Sequence, residues 1–298
     1  MFKKFLKITG IVLLVIALLG GLGVFTLKYL QKSMSPRQIL KGDDGAKIFC
    51  EELSFYGGDG KIYGKVYKPQ DTLGRKKVLI YCHDIGGNSN EGKAICEMAA
   101  KKGYVAYSFD FMGGSPNSRS DGRLNEMSVL TEVDNLVEVI KRIRKEEFAK
   151  KNSTYLAGYG LGGAVAAVAA SEMKKEVAGL ILISADFNIK EYSEGLYSKV
   201  KEIPDTTLVK GVPVGKKFFV DARNINVFKK MRKFDGAALI IHGTADERVP
   251  ISFAEKANKE LSGAKLERVD GAGNELKGSY LSKVMRLSGS FLDEKLKD

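Results

Sequence analysis

Histidine and cysteine are scarce in this chain of 298 residues, which contains two of the first and three of the second. An odd number of cysteines does not make a disulfide framework, and no pair has the C-x-x-C spacing of a metal site. The two histidines, His83 and His242, leave few candidates for a catalytic base. We therefore expect no metal and no cofactor.

Repeats, low-complexity tracts and nucleic-acid motifs are also missing. The formal net charge is +12, but the lysines are scattered along the chain, which is typical of a solvated surface. We therefore expect no nucleic-acid partner. Hydrophobic residues make up 44% and charged residues 28% of the chain, as in an ordinary folded protein. The length suits one large α/β domain or two small ones.

One long apolar run begins the chain. Residues 8–27 carry no charge and lie between Lys7 and Lys28. As a helix, this run would span ~30 Å, the thickness of a bilayer core. A cleaved signal peptide usually has a shorter apolar region followed by an A-x-A-like site, and none is evident. We predict a single-pass transmembrane anchor over residues 1–30, acting as a signal anchor in the cell membrane.

The charges beside this run bear on its orientation. A short basic tail containing Lys3, Lys4 and Lys7 favours a cytoplasmic N-terminus. Four basic residues on the other flank oppose that orientation: Lys28, Lys32, Arg37 and Lys41. We expect a short basic tail to stay inside, so the globular part is predicted outside the cytoplasm. Residues 31–45 are interpreted as a polar tether.

Strand and helix patterns alternate from residue 46 onward. An antiparallel hairpin is predicted over residues 46–55 and 61–67, followed by strands at 77–82, 104–109, 154–157, 177–183, 237–241 and 265–269. Helices are predicted at residues 90–102, 128–150, 161–174, 251–261 and 278–296. This alternation predicts a mostly parallel sheet with helices on both faces. Residues 185–234 are too long for a plain connection and are interpreted as a lid insertion.

A glycine-rich turn follows the predicted strand at 154–157. It reads Gly158-Tyr159-Gly160-Leu161-Gly162, the layout of a G-x-S-x-G nucleophile elbow with glycine in the serine position. A phosphate loop is a competing interpretation, but the Walker pattern ends in Gly-Lys-Ser/Thr and this turn continues Gly163-Ala164. The dinucleotide pattern G-x-G-x-x-G fits by letters, yet it stands after a late strand and lacks the expected acidic residue.

Three further segments decide between these interpretations. The segment at residues 81–88 has the form of an oxyanion-hole loop, with Asp84 where glycine is usual. Residues 242–250 read H-G-x-x-D-x-x-V-P, with Asp246 in the position of a catalytic acid. Residues 269–274 end in Gly-Ala-Gly-Asn, which places Asn274 where a catalytic histidine is expected.

The order of elbow, acid and base position resembles the α/β-hydrolase superfamily. The resemblance extends from about residue 50 to the C-terminus, and it is closest to small cinnamoyl- and feruloyl-type esterases and to serine-aminopeptidase-like hydrolases. It implies an α/β-hydrolase domain over residues 46–298. It also implies that Gly160, Asp246 and Asn274 hold the three triad positions, and that the amides of Ile85 and Leu161 form the oxyanion hole.

Two of these positions lack the required chemistry. Gly160 has no side chain to form an acyl-enzyme, and the amide of Asn274 does not titrate near neutral pH. We expect both histidines to be structural. The sequence therefore predicts a degenerate, catalytically impaired carboxylesterase relative. Its oxyanion hole is expected to hold a carboxylate or carbonyl of a small ester, acid or peptide-like ligand, with residual hydrolysis of ~10³–10⁴-fold over water.

Two alternatives remain open from the sequence. The first is an active ester or peptide hydrolase with a non-standard nucleophile. Cys82 is a candidate for that role, and insertion residues could reach the pocket: Tyr192, Tyr197, Asp205 and Asp221. The second is an interaction module of the cell envelope that uses its basic surface, with a protein partner that the sequence does not identify.

Overall fold

The computed structural model describes residues 38–41, 45–57, 59–71 and 73–297. Its strands are β1 (Gln38–Lys41), β2 (Lys47–Glu52), β3 (Phe55–Gly57), β4 (Gly60–Ile62), β5 (Gly64–Pro69), β6 (Lys76–Cys82), β7 (Val105–Phe109), β8 (Ala149–Tyr159), β9 (Val177–Ile183), β10 (Thr206–Val209), β11 (Val212–Gly215), β12 (Ala237–Gly243) and β13 (Ala264–Val269). Its helices are α1 (Lys93–Lys101), α2 (Val129–Ile143), α3 (Leu161–Glu172), α4 (Ile189–Leu196), α5 (Lys216–Asn224), α6 (Val227–Met231), α7 (Ile251–Glu260) and α8 (Gly278–Lys297).

Nine of these strands form one sheet in the order β1-β2-β5-β7-β6-β8-β9-β12-β13. The strands from β7 to β13 in this order are parallel, while β1, β2 and β5 are antiparallel to their neighbours. Parallel strands place all their carboxyl ends along one edge, where α/β proteins bind ligands. This edge is called the carboxyl edge below, and the opposite one the amino edge. The predicted mostly parallel sheet is confirmed.

Helices cover both faces of the sheet. On one face, α2 and α3 bury residues such as Leu136, Ile140 and Val165 against the strands. On the other face, α1 and α8 bury residues such as Ile95 and Val284. The central strand β6 is therefore enclosed on both sides, and its residues from Val78 to Cys82 have no exposed surface. Such enclosure explains the unbroken apolar sequence of this strand.

Most predicted elements are found within a few residues of their expected bounds. Two differ: one helix ends earlier than predicted, and one hairpin has a different connection. The helix predicted over residues 128–150 ends at Ile143, because the chain turns and Ala149 enters β8 beside Lys76. The predicted hairpin exists as the antiparallel pair β2–β5, but its connection folds into a second small hairpin, β3–β4.

The predicted N-terminal regions lie largely outside the described residues. This applies to the anchor at residues 1–30 and, within the tether, to residues 31–37 and 42–44. The tether boundary is corrected where the structure describes it. Residues 38–41 pair with β2 as the edge strand β1, with Leu40 packed on the core and Ile39 facing solvent. None of the described helices combines the length and apolar character needed to cross a bilayer.

The segment between β9 and β12 is called the insertion, defined as residues 185–234. It contains the helices α4, α5 and α6 and the antiparallel pair β10–β11. It begins just beyond the end of β9, at the carboxyl edge. Its inner side is apolar, with Phe187, Val214, Phe219 and Met231 buried. The insertion is therefore a packed subdomain that sits over the edge where the site is expected.

Candidate active site

Gly160 occupies a sharp turn between β8 and α3. Its backbone has φ 56° and ψ −123°, a left-handed conformation that glycine adopts without strain. The turn is tight on its far side, because a Cβ added at Gly162 would collide with the backbone carbonyls of Cys82 and His83. Strand, sharp turn and helix thus form the nucleophile elbow expected from the sequence, with no nucleophile on it.

Asp246 lies in the loop after β12 and is held from several sides. Its Oδ1 accepts hydrogen bonds from the backbone N–H groups of Arg248 and Val249, at 3.0 and 2.9 Å. Its Oδ2 accepts one from Asn274 Nδ2 at 2.7 Å and lies 3.2 Å from His242 Nε2. Burial raises the pKa of this carboxyl, but the hydrogen bonds from His242, Asn274 and Val249 outweigh it and leave the pKa below its usual value.

Asn274 stands beside the elbow. Its backbone carbonyl accepts a hydrogen bond at 3.0 Å from the hydroxyl of Tyr159, which is next to Gly160 in the chain. Its side chain is buried, and Oδ1 has no hydrogen-bond partner among the described residues. The structure thus brings all three predicted triad positions to the carboxyl edge, and it joins Asp246 and Asn274 directly.

The space in front of the elbow is filled by the side chain of Asp84. Its Oδ1 accepts a hydrogen bond from the backbone N–H of Leu161 at 2.9 Å. A Cβ added at Gly160 would collide with this carboxylate, and even the farther oxygen, Oδ2, would lie within 2.8 Å. The sequence predicted that the Leu161 and Ile85 amides would hold a ligand. That prediction is corrected, because the Leu161 amide holds a carboxylate of the chain itself.

A lysine of the insertion pairs with this carboxylate. Lys210, in the turn between β10 and β11, places Nζ on Asp84 Oδ2 and 3.5 Å from Asp186 Oδ2. Arg248 Nη2 lies 3.6 Å from the other oxygen of Asp186. The side chain of Asp84 is 8% exposed and that of Lys210 19% exposed. Two carboxylates and two cations therefore form one cluster, called the plug below, that closes the front of the elbow.

Three acids in and beside the plug, Asp84, Asp186 and Glu91, have raised pKa values. Burial raises the pKa of Asp84, against the opposing effect of the Leu161 and Ile85 amides. Burial, and then the charge of Asp84, raise the pKa of Asp186 to about 8. The same two causes raise the pKa of Glu91 to about 7, where its Oε1 accepts from the Asp84 backbone N–H at 2.9 Å. Loss of water beside the charged Asp84 thus favours the protonated forms of Asp186 and Glu91.

Glu132 is a second buried acid behind the plug. Both its carboxyl oxygens lack a hydrogen-bond partner among the described residues, and burial raises the pKa well above its usual value. A Cβ added at Gly114 would lie 3.1 Å from Glu132 Oε1 and 3.3 Å from His83 Cε1. The acid therefore lies beside His83, under the loop that carries Asp84.

Both histidines have structural roles. His83 Nδ1–H donates to the Asp84 backbone carbonyl at 2.7 Å, and Nε2 accepts from the Phe111 N–H at 3.0 Å. Burial lowers its pKa, so it is neutral and fully engaged. His242 Nε2–H donates to the Val249 carbonyl at 2.8 Å, and this histidine has no exposed surface. Neither imidazole faces the space in front of Gly160.

The candidates for a non-standard nucleophile are placed elsewhere. Cys82 is fully buried, and burial raises the pKa of its thiol well above the usual value. Asp221 accepts hydrogen bonds from Ser128 and Lys217, and the Tyr197 hydroxyl pairs with Thr207. Tyr192 and Asp205 are exposed on the insertion. The insertion residues that reach the elbow are Lys210 and Asp186, whose backbone N–H donates to the Gly160 carbonyl at 2.9 Å, and no motif in the sequence marks either.

A cavity of about 730 Å³ lies beside the base position. It is bordered by the loop after β13, including Asn274, and by Tyr280 and Lys283 of α8. Neither Gly160 nor Asp84 lines it. This cavity therefore lies on the outer side of the Asn274 loop and away from the elbow.

Comparisons with known proteins agree with this geometry. The family described as serine aminopeptidase, S33, matches residues 74–221. A ferulic acid-bound structure of Est1E from Butyrivibrio proteoclasticus is 22% identical, covering 83% of this chain and 100% of that one, with a TM-score of 0.76. Mouse alpha/beta hydrolase domain-containing protein 10 is 16% identical, covering 88% and 99% of the two chains, with a TM-score of 0.62.

A monoacylglycerol lipase from Paleococcus ferrophilus is also similar, at 16% identity over 78% of this chain and 98% of that one, with a TM-score of 0.58. No curated protein sequence matches the chain. At these identities the solved structures show the fold alone. Together with the family match over residues 74–221, they show that the chain has the α/β-hydrolase fold.

Proposed function

We propose that this protein is a membrane-anchored α/β-hydrolase-fold protein that does not hydrolyse esters or peptides. The single observation that supports this most is the seating of the Asp84 carboxylate on the Leu161 amide, in front of Gly160. An acyl group would need that amide to stabilise its tetrahedral oxyanion. The site thus lacks a nucleophile and a base, and its oxyanion hole is already filled.

Because Asp84 occupies the oxyanion hole, we propose that residual hydrolysis is weaker than the sequence alone suggests. An empty oxyanion hole accelerates acyl transfer by binding the developing negative charge. A hole that holds Asp84 repels that charge, and Lys210 keeps Asp84 in place. A small acid, ester or peptide-like ligand would bind here only after Lys210 and Asp84 had moved, so we propose binding without turnover.

The anchor is proposed from the sequence. The apolar run at residues 8–27 has the length of a bilayer-spanning helix, and basic residues flank it. We place the α/β-hydrolase domain, from residue 46 onward, outside the cytoplasm, with the insertion acting as a lid over the plug.

The test is an assay of the full chain in detergent against p-nitrophenyl acetate and butyrate. Three proteins are compared: the parent, Gly160→Ser/Asn274→His, and Gly160→Ser/Asn274→His/Asp84→Gly. We expect no turnover from the parent. We also expect none from the double variant, because Asp84 occupies the space that any side chain at position 160 needs. The triple variant should hydrolyse both esters and react covalently with a fluorophosphonate.

Each result bears on a separate part of the proposal. Turnover by the parent at ~1 s⁻¹ or faster would contradict the absence of hydrolysis. Activity in the double variant equal to that of the triple variant would show that Asp84 does not block the elbow. Circular dichroism and thermal unfolding of all three proteins serve as the folding control.

A further inference from the structure

We propose that the outer surface of the insertion docks on an anionic lipid bilayer, so that the carboxyl edge of the sheet faces the membrane. This inference rests on the anchor proposed above and adds an orientation and a second contact. It follows from three observations: the apolar side chains that the insertion exposes, the direction of β1, and the charge of the insertion.

The insertion exposes large apolar side chains at several places. Leu208, on β10, is 69% exposed, and Leu196, at the end of α4, is 49% exposed. Val200 and Tyr192 are 47% and 39% exposed. Tyr192 and Leu196 lie one turn apart on α4, and the hydrogen bond between Tyr197 and Thr207 joins the end of this helix to β10, the strand that carries Leu208. Exposed aliphatic and aromatic side chains on neighbouring elements are typical of a surface that contacts another apolar phase.

The strand β1 fixes where the N-terminal segment leaves the domain. β1 is antiparallel to β2, β2 to β5, and β5 to the parallel strand β7. β1 therefore runs opposite to the parallel strands, so the chain enters β1 from the side of the carboxyl edge, with Gln38 level with the middle of β6. The insertion starts from the end of β9 at this same edge. The chain thus enters the described domain from the side that carries the insertion.

The distances fit contact at two points. Residues 28–37 separate the apolar run from β1, and ten extended residues reach at most ~36 Å. A domain of this size has a radius of gyration of ~18 Å, and so a diameter of roughly 45 Å. This reach is shorter than the domain, which favours the side from which the chain enters β1. Between β1 and β9, six strand spacings place Gln38 and the start of the insertion ~29 Å apart across the sheet.

The charge of the insertion favours an anionic surface. It contains eleven Lys and Arg residues but six Asp and Glu residues. Lys199 and Lys201 flank the exposed Val200, and Lys190 lies one helical turn before Glu194 with 41% of its side chain exposed. Basic side chains next to apolar ones bind lipid headgroups by charge while the apolar groups enter the interface.

The test uses the full chain in vesicles of phosphatidylcholine and phosphatidylglycerol. The three native cysteines are buried, so an environment-sensitive NBD label goes to a cysteine introduced by Leu208→Cys. The matched control is Leu73→Cys, because Leu73 is 83% exposed and lies at the amino edge, between the end of β5 and the start of β6. Quenching by doxyl-labelled lipids is measured for both, together with flotation of the protein with the vesicles.

We expect flotation of both variants and several-fold stronger quenching at position 208 than at position 73. Equal quenching at the two positions in floating protein would overturn the docking while leaving the anchor intact. Absence of flotation would contradict the anchor and, with it, this inference. An NBD change at position 208 that depends on protein density and not on quencher lipid would assign the surface to a second copy of the chain, and would also overturn it.

Discussion

The two halves of the site have diverged to different degrees. In the elbow half, the nucleophile is absent and Asp84 fills the space in front of Gly160. In the acid half, Asp246 keeps its backbone partners, and Asn274 still donates to it at 2.7 Å. A nucleophile makes no structural contacts, so its side chain can be absent from position 160 without loss of stability. Asp246 also holds its loop through hydrogen bonds, so that side chain is kept.

Asn274 illustrates how the acid half keeps its structure. In the family arrangement, an imidazole N–H donates to the acid and the second nitrogen handles protons. The Asn274 amide supplies an N–H in the first role, since Nδ2 donates to Asp246. It cannot perform the second role because it does not titrate. The hydrogen bond to the acid is therefore kept by a side chain that has no titrating nitrogen.

The largest expected effect is that of Gly160→Ala, which tests whether Asp84 blocks the elbow half. We expect it to lower the free energy of unfolding by about 4 kcal/mol. A non-glycine residue at φ 56° costs ~1–3 kcal/mol, and displacing Asp84 leaves buried polar groups unpaired at ~1–3 kcal/mol each. Urea unfolding measures the loss. The matched control is Gly278→Ala, at φ 55° with no atom within 4 Å of the added Cβ, which tests the backbone strain alone.

Adding Asp84→Gly to Gly160→Ala should recover part of this loss. The second change removes the carboxylate with which the added methyl group collides, so the two effects should deviate from additivity by about 1–3 kcal/mol. If the changes in the free energy of unfolding were strictly additive, or equal for Gly160→Ala and Gly278→Ala, the Asp84 side chain would move aside without cost. The elbow half would then not be blocked.

In the acid half, Asp246→Ala should lower the free energy of unfolding by about 3 kcal/mol, more than Asn274→Ala. The first change leaves the Arg248 and Val249 amides and Asn274 Nδ2 without their acceptor, while the second removes one donor. Thermal and urea unfolding compare the two. The exposed Asp270→Ala should change stability by less than ~0.5 kcal/mol, and an Asp246→Ala loss as small as this would mean that the acid half has no structural role.

The most gradual effect is a dependence of stability on pH that separates the halves. Asp186 and Glu91 have pKa values raised to about 8 and about 7, so the folded state binds more protons than the unfolded one between those values and ~4. Stability should therefore fall as pH rises from 5 to 8, with each of the two groups contributing at most ~1.4 kcal/mol per pH unit. Asp246 has a lowered pKa, so its contribution is lost only as pH falls below ~4.

Urea midpoints recorded from pH 4 to 8 check this dependence. Asp186→Asn should make the fall between pH 5 and 8 shallower, because one of the two groups no longer titrates. A stability profile that is unchanged by Asp186→Asn, or that rises over this range, would show that the plug is not held by protonated or shared acids.

The fold and three site positions were predictable because their signals are local. Apolar runs with strand or helix periods identify the elements, and short motifs mark Gly160, Asp246 and Asn274. The end of α2 was missed because residues 144–150 continue a polar, helix-compatible sequence. Only the pairing of Ala149 with Lys76 shows where the strand begins.

The plug was not predictable for a different reason. Asp84 was visible as a departure from glycine, but its partner Lys210 is 126 residues away and lies in an ordinary Lys-Gly turn. Asp186 and Arg248 come from two further loops. No local pattern links side chains that only the folded sheet brings together, so the closing of the site required the structure.

The pairing of β1 with β2 also decides how the domain responds to mechanical load. A pull on the N-terminal segment, directed away from the carboxyl edge, enters the sheet along the axis of β1. The four residue pairs between β1 and β2 would then be sheared together, and not peeled apart one after another. A short edge strand loaded in this direction therefore resists tension better than its length alone suggests.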